Sequence, residues 1–231
     1  MNNIDVNIIV EGQSEQTFVR DILAPFMALK GVYLYPAQIG PVGHKGGNVN
    51  FDRAQKHIGN FLKQRSDTYV TTMFDYFRID SKWPGLDAVN QKINKGTILC
   101  LASKAKTLES NMLENINNQF PDCNVRNRFI PYIEMHEFES LLFSNARILA
   151  KNIEVKEEVI HEILDEYNGN PEEINETPAN APSKQLNKLY PSYRKIATGK
   201  AIASAIGISQ IREKCIHFND WLVRLENLKG V

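Results

Sequence analysis

Residues 7–18, Asn-Ile-Ile-Val-Glu-Gly-Gln-Ser-Glu-Gln-Thr-Phe, change from an apolar, β-branched run to a helical repeat within one short turn. Such a run is typical of a strand that is buried on both faces of a parallel sheet. Gly12 can make the tight reversal between strand and helix, and Ser14 offers a hydroxyl as the helix N-cap. The stretch therefore predicts a strand–turn–helix unit of an α/β fold, with Glu11 at the carboxyl end of a core strand.

Glu11 and Glu15 are the first candidate functional residues. Open α/β sheets bind ligands at the carboxyl ends of their strands, and Glu15 lies one helical turn beyond Glu11. Two carboxylates at this edge would hold a hard cation through oxygen ligands. Alternatively, Glu11 only ends the strand, while Glu15 helps to cap the helix. This stretch alone leaves both interpretations open.

A second predicted strand ends in an acid in the same way. Residues 68–77 form a β-rich run, with Asp75 at its carboxyl end. Asp75 would stand beside Glu11 if the two strands are neighbours in the sheet. The alternative, an ordinary turn acid at the end of a strand, loses weight because the arrangement repeats that of Glu11.

The third junction of this kind is the densest. Residues 126–135 are predicted to form a strand that leads directly into residues 136–139, His-Glu-Phe-Glu. A helix beginning near His136 would place His136 and Glu139 on one face, at spacing i, i+3. With Glu134, these side chains would be metal ligands, or a general base with its orienting partners. The alternative is a helix N-terminus that is merely enriched in acids.

The composition limits the class of protein. Lys plus Arg and Asp plus Glu both number 27 in 231 residues, so the formal net charge is zero. This balance argues against a protein that coats nucleic acid through bulk charge, but it is compatible with a local basic groove. The three cysteines are far apart and form no C-x-x-C pair, which favours neither a zinc ribbon nor a disulfide framework. Without a signal-peptide or membrane-span pattern, we expect a cytoplasmic protein that does not bind membranes.

The remaining segments predict helices around this sheet and a second, helical unit. A strand over residues 32–39 contains Pro36, which indicates an edge position. Glycine-rich residues 40–47 are predicted to be a connector, with phosphate contact as the minority interpretation. We divide the chain into an α/β core over residues 1–144 and a helical C-terminal subdomain over residues 145–231. In that subdomain Lys184 and Arg194-Lys195 either line a phosphate path or are solvated charges.

The three acid-bearing strand ends resemble a Toprim site, the metal-binding fold of topoisomerases, primases and the overcoming-lysogenization-defect nucleases. Residues 10–15 are similar to the Glu-Gly-x-x-Glu opening of that last group. Over nearly its full length the chain resembles a bacterial family of Toprim-like proteins of unknown function. Further segments that carry this resemblance are residues 72–76, 131–139, 183–184, 190–193 and 218–222.

This resemblance implies a Toprim-like, mostly parallel sheet flanked by helices, with a C-terminal helical appendage. It also implies an ATPase partner, because such relatives often sit beside an ATPase in defence-like gene pairs. One departure concerns the Asp-x-Asp pattern that Toprim enzymes usually carry. Asp75 is followed by Tyr76-Phe77, with no acid two positions on.

We therefore expect a Mg²⁺- or Mn²⁺-dependent phosphodiesterase that acts on nucleic acid, DNA or RNA, in a bacterial defence system. Phosphodiester cleavage needs an activated water and neutralised charge at phosphorus, and carboxylates that hold cations supply both. His136 would orient or transfer a proton, and Lys184 would stabilise the leaving side. The candidate catalytic residues are Glu11, Asp75, His136, Glu139 and Lys184, and the candidate metal ligands are Glu11, Glu15, Asp75, Glu137 and Glu139.

Two alternatives stay open. The chain could be a regulatory partner of an ATPase that keeps the Toprim-like scaffold without the chemistry, as the missing Asp-x-Asp and the neutral net charge favour. It could also hydrolyse a nucleotide or another small phosphoester. The sequence does not decide between a monomer and a homodimer.

Overall fold

The computed structural model describes residues 3–40, 49–97, 99–174 and 180–230. Its centre is a sheet in which every strand pairing is parallel, in the order β2-β1-β3-β4, with β5 also pairing with β3. The strands are β1 (Ile4–Val10), β2 (Val32–Gln38), β3 (Tyr69–Asp75), β4 (Phe129–Ile130) and β5 (Ile133–Glu134). The predicted α/β class and mostly parallel sheet are confirmed. Strand β2 lies at the edge, as Pro36 indicated.

Helices cover both faces of this sheet. The α-helices are α1 (Gln13–Phe18), α2 (Ala24–Ala28), α3 (Phe51–Gln64), α4 (Leu86–Asn94), α5 (Leu101–Gln119), α6 (Val125–Arg128), α7 (Ala146–Asn152), α8 (Glu157–Asp165), α9 (Pro182–Leu189), α10 (Ala197–Ile206), α11 (Ile208–Lys214) and α12 (Ile216–Glu226). None of the helices in the described residues combines the length and the apolar character that crossing a bilayer requires.

The side chains of β1 alternate between two apolar cores. Val6, Ile8 and Val10 belong to a core that also contains Phe18 of α1 and Trp221 of α12. On the opposite face, Ile9 belongs to a core built with α3 and α5. Burial on both faces explains why the strand reads as an almost continuous apolar run. The first core joins residues from both predicted units, 1–144 and 145–231.

The helix predicted after β1 differs from the observed one in two respects. A π-helical segment, Val19–Leu23, separates α1 from α2. Pro25, in the first turn of α2, has no amide hydrogen to continue the α-helical ladder, and a wider turn accommodates this loss. Ser14 is also not the N-cap: Gly12 holds that position, and its N–H donates to Glu15 Oε2 at 3.1 Å.

The prediction of a single strand over residues 126–135 is wrong. Its first residues form α6, and the rest is divided into β4 and β5 by Pro131, which cannot donate to a strand ladder. The Thr72 hydroxyl of β3 fills the break. It accepts a hydrogen bond from Tyr132 N at 3.1 Å and donates to Tyr132 O at 2.9 Å. The chain therefore stays attached to β3 across the interruption.

Candidate functional site

The strand register brings the three acid-bearing junctions to one edge of the sheet. Val10 pairs with Met73 in the neighbouring strand, so Glu11 and Asp75 follow at the same end of β1 and β3. Asp75 in turn pairs with Glu134 of β5. Acids that are far apart in the chain thus lie at adjacent carboxyl ends, the edge where open parallel sheets bind ligands.

Glu11 is the least compensated acid of this edge. Burial raises its pKa most, and the negative charges of Glu15 and Asp75 add to that effect, so that the pKa reaches about 8. Its Oε2 atom is buried and has no hydrogen-bond partner among the described residues. A buried carboxylate oxygen without a donor is costly, and a cation would remove that cost.

Asp75 shares this environment. Burial, followed by the charges of Glu137 and Glu15, raises its pKa to about 7, although a hydrogen bond from Phe77 N at 2.8 Å opposes the rise. That bond fixes one carboxylate oxygen at the start of the Tyr76–Arg78 3-10 turn. Asp75 therefore lies close enough to Glu15 and Glu137, at the other two junctions, for their charges to interact. This proximity is expected if the three strand ends are neighbours.

Glu15 carries out the capping role that the sequence left open. Its Oε2 accepts the hydrogen bond from Gly12 N, which satisfies one of the free amides at the start of α1. Burial raises its pKa, and Lys195 and the backbone of the turn oppose this rise. Capping uses one carboxylate oxygen, so the cap and a place in the acidic cluster are compatible.

Glu137 and Glu139 are held by the C-terminal half of the chain. The Lys195 ammonium lies 3.1 Å from Glu139 Oε1 and 3.6 Å from Glu137 Oε1. Tyr193 donates its hydroxyl to Glu139 Oε1 at 3.4 Å, and Ser183 N donates to Glu137 Oε2 at 2.9 Å. Glu139 is 1 % exposed, and its burial raises the pKa to about 7.

The expected pairing of His136 and Glu139 on one helix face is wrong. The helix that follows is a 3-10 segment, Phe138–Ser144, so His136 precedes it, in a bend of the chain. The imidazole instead packs against the ring of Phe77, with the ring centres 5.7 Å apart. Burial, followed by the charge of Lys104, lowers the pKa of His136 to about 4, and its Nδ1 has no hydrogen-bond partner among the described residues.

Glu134, which the sequence suggested as a metal ligand, is instead engaged in a hydrogen bond of its own. Its Oε2 accepts the Tyr132 hydroxyl at 3.0 Å inside the core. Burial, followed by the charge of Glu172, raises its pKa well above the ordinary value. Glu134 is therefore engaged in a hydrogen bond inside the core, and its raised pKa favours the uncharged form, which adds less charge to the edge.

Lys195 and Arg78 bring positive charge to these acids. The sequence leaves Lys195 open between a phosphate path and a solvated charge, and no sequence pattern points to Arg78. The charge of Arg78 lowers the pKa of both Glu11 and Asp75. Lys184, the predicted cation, is exposed next to Ser183 and makes no ion pair within the described residues. The predicted phosphate loop, residues 40–47, lies almost entirely outside the described residues.

The site as a whole is a cluster of acids whose charge is only partly neutralised. Within the described part of the chain, no three Asp, Glu, His or Cys side chains are arranged to hold a metal ion as they stand. Glu137 and Glu139 are turned towards Lys195 instead. The cluster comprises Glu11, Glu15, Asp75, Glu137 and Glu139, and is called the acidic cluster below.

Comparison with known proteins gives one match. The model of a family described as a domain of unknown function (DUF4276) matches residues 10–226, a span that includes all members of the acidic cluster and both cations. No curated protein and no solved structure matches the chain.

Proposed function

The chain belongs to the DUF4276 family. For this member of the family, we propose that the acidic cluster is the site of a divalent-metal-dependent phosphodiesterase that cuts nucleic acid. The observation that supports this proposal is the meeting of carboxylates from three distant segments at adjacent strand ends. Their mutual repulsion raises the pKa of Glu11 and Asp75 beyond the effect of burial. Carboxylates with raised pKa values are common at functional sites, and a divalent cation would offset the negative charge that this cluster carries when ionised.

The donor atoms of the cluster suit a hard divalent cation, although the side chains of the described residues would have to turn from their present arrangement to hold one. The cluster is made of carboxylate oxygens, the ligands that Mg²⁺ and Mn²⁺ prefer, and Glu11 contributes a buried oxygen that finds no hydrogen-bond partner in the described parts of the chain. Glu11, Asp75 and Glu139 would hold the ion, with Glu15 and Glu137 as ligands or as groups that orient them. When bound, the ion would activate a water and polarise the phosphoryl oxygens.

The neighbouring side chains have roles that follow from their own chemistry. His136 is neutral near pH 7 because its pKa is about 4, so it can accept a hydrogen bond at a ring nitrogen and orient a water or a substrate group. Lys195 and Arg78 bring positive charge to the edge where a phosphate would lie. Charge stabilisation of the departing oxygen, which the sequence assigned to Lys184, suits Lys195 better because Lys195 already contacts the cluster.

The test compares Glu11→Gln and Asp75→Asn with the unchanged protein. Each substitution removes one charge with little change of shape, so we expect Mn²⁺-dependent cleavage of DNA and RNA oligonucleotides to fall at least about a hundredfold. Glu158→Gln, at an exposed acid of α8, is the matched control and should cut normally. Thermal unfolding shows whether each variant folds. Unchanged cleavage by both site variants would reject the proposal.

One observation favours a second candidate. Lys195 already pairs with Glu137 and Glu139, so the scaffold partly neutralises its own acids without a metal ion. In this case the chain would be a regulatory partner of an ATPase, as the resemblance to Toprim-like proteins suggests. Titration calorimetry with Mg²⁺ and Mn²⁺ separates the two functions. The enzyme requires measurable affinity for one of these ions, whereas the regulatory partner requires none.

A further inference from the structure

An exposed aromatic ring stands directly beside the acidic cluster. Phe77 is 40 % exposed, in the short 3-10 turn that follows Asp75. His136 covers one side of the ring, at a centre-to-centre distance of 5.7 Å and an angle of 31° between the ring planes. Tyr76 meets it edge-on at 5.2 Å. With these two contacts in place, Phe77 still keeps 40 % of its surface exposed to solvent.

Isolated apolar side chains are common on protein surfaces, so exposure by itself carries no meaning. The position of Phe77 is what distinguishes it. Tyr35 is the other aromatic side chain among the large exposed apolar residues of the described chain, and it lies opposite Asn7, four residues before Glu11. That separation is about 13 Å along the strand direction. The Tyr35 hydroxyl is also engaged, because it donates to Asp5.

The turn that carries Phe77 is pinned at both ends. The Phe77 amide donates to Asp75 Oδ1 at 2.8 Å, which ties the backbone of the turn to the cluster. After the turn, the Arg78 carbonyl accepts the Val49 amide, and the Asp80 amide donates to the Val49 carbonyl at 3.0 Å. The backbone under the ring is therefore held in place, and a flat partner could stack on it at a low entropic cost.

The residues around the ring match a known mode of binding. Phe77 is followed by Arg78, the guanidinium whose charge reaches Glu11 and Asp75. Proteins that bind single strands combine aromatic rings, on which bases stack, with cations along the phosphate backbone. In a duplex the base faces are already occupied by their neighbours, and a ring at the surface gains nothing from them.

We propose that Phe77 is a stacking platform for an unpaired nucleobase, and that the acidic cluster therefore acts on single-stranded nucleic acid. A base on the Phe77 ring would place its own phosphate towards Arg78 and the carboxylates at the end of β3. This inference rests on the proposed function, because it names the form of nucleic acid that the same site receives. His136, which backs the ring, couples the platform to the segment that holds Glu137 and Glu139.

The test measures stacking separately from cleavage. The full-length protein binds short single-stranded DNA and RNA oligonucleotides that carry 2-aminopurine, without added metal, and the fluorescence of this base falls when it stacks. We expect tighter binding to single strands than to the duplex of the same sequence, with quenching. Phe77→Ala should lose the quenching and weaken binding about tenfold or more. Loss on the DNA strand, the RNA strand or both supports the inference.

Three controls sharpen the result. Phe77→Trp keeps a stacking surface and should bind as the unchanged protein does. Tyr35→Ala removes the distant exposed ring and should have no effect. On an oligonucleotide whose sites are all abasic, Phe77→Ala and the unchanged protein should bind equally, because no base is present to stack.

The inference and the proposed function fail in different ways. Normal single-strand binding and quenching by Phe77→Ala, a duplex bound at least as tightly as the single strand, or no binding to any oligonucleotide would overturn the platform. Quenching that depends on Phe77, without Mn²⁺-dependent cleavage, would leave the platform and reject the phosphodiesterase. Mn²⁺-dependent cleavage with the same rate in Phe77→Ala and in the unchanged protein would support the phosphodiesterase and reject the stacking platform.

Discussion

Lys195 neutralises part of the negative charge of the acidic cluster. Its ammonium lies within 3.1 Å of Glu139 and 3.6 Å of Glu137, while the side chain remains 44 % exposed. An ammonium and a divalent cation cannot both sit against the same carboxylates without repulsion. The lysine therefore acts as a tethered competitor for the ion that the cluster is proposed to bind.

Lys195→Met should accordingly strengthen metal binding. We expect Mn²⁺ affinity, measured by calorimetry, to rise about fivefold, an effect on the order of 1 kcal/mol that allows for solvent screening of a half-exposed charge. Lys200→Met is the matched control, because Lys200 pairs with Asp21 outside the acidic cluster. Equal or weaker Mn²⁺ affinity in Lys195→Met would show that the lysine does not compete.

At the scale of elements, the break between β4 and β5 tests how the sheet holds the third junction. Thr72→Val keeps the volume but removes the hydroxyl that bonds both Tyr132 N and Tyr132 O. Two buried backbone groups then lose a partner, so we expect the free energy of unfolding to fall by about 1–3 kcal/mol. Denaturant titration measures this change.

Thr68→Val supplies the comparison. Thr68 is buried just before β3, and its Oγ1 has no hydrogen-bond partner among the described residues. Removing that hydroxyl should therefore be neutral or stabilising. Equal losses in the two variants would mean that the bonds across the break contribute nothing.

The same break shows where sequence reasoning ends. The sequence predicts the strands β1 and β3 and the acids at their ends, because an apolar run followed by an acid is a pattern of neighbouring residues. Residues 126–135 look equally strand-like, yet their pairing depends on Pro131 and on a hydroxyl from Thr72, which is distant in the chain. The alternation of apolar and polar residues in the sequence does not reveal these contacts. The 3-10 start at Phe138 and the approach of Lys195 are hidden for the same reason, because both depend on tertiary contacts.

At the scale of the molecule, helix α12 connects the C-terminal half to the sheet behind the site. Trp221 Nε1 donates to Thr71 Oγ1 of β3 at 2.9 Å, and the Tyr132 ring stacks with the rings of Trp221 and His217, at centre-to-centre distances of 4.4 and 4.9 Å. Glu172 accepts the amide of His217 and so caps this helix from a distant segment. The C-terminal helices that support Lys195 thus share a core with the strands that carry the acids.

His217 gives this connection a dependence on pH. Burial alone would lower its pKa, but the hydrogen bond and charge of Glu109, with the charge of Glu172, outweigh burial and leave the pKa above 6.5. The folded state therefore holds a proton more tightly than the unfolded chain. The stabilisation is complete below about pH 6.5 and is lost as the pH rises through the raised value.

We expect His217→Gln to remove this contribution. Glu11, Asp75 and Glu139 also titrate with raised pKa values, so the informative quantity is the difference in unfolding free energy between the two proteins. That difference should be largest near pH 6 and should shrink towards pH 9 in thermal or denaturant unfolding. His161→Gln, at an exposed histidine of α8, should differ little from the unchanged protein at every pH. A difference for His217→Gln that stays constant with pH would show that the helix is held by packing alone.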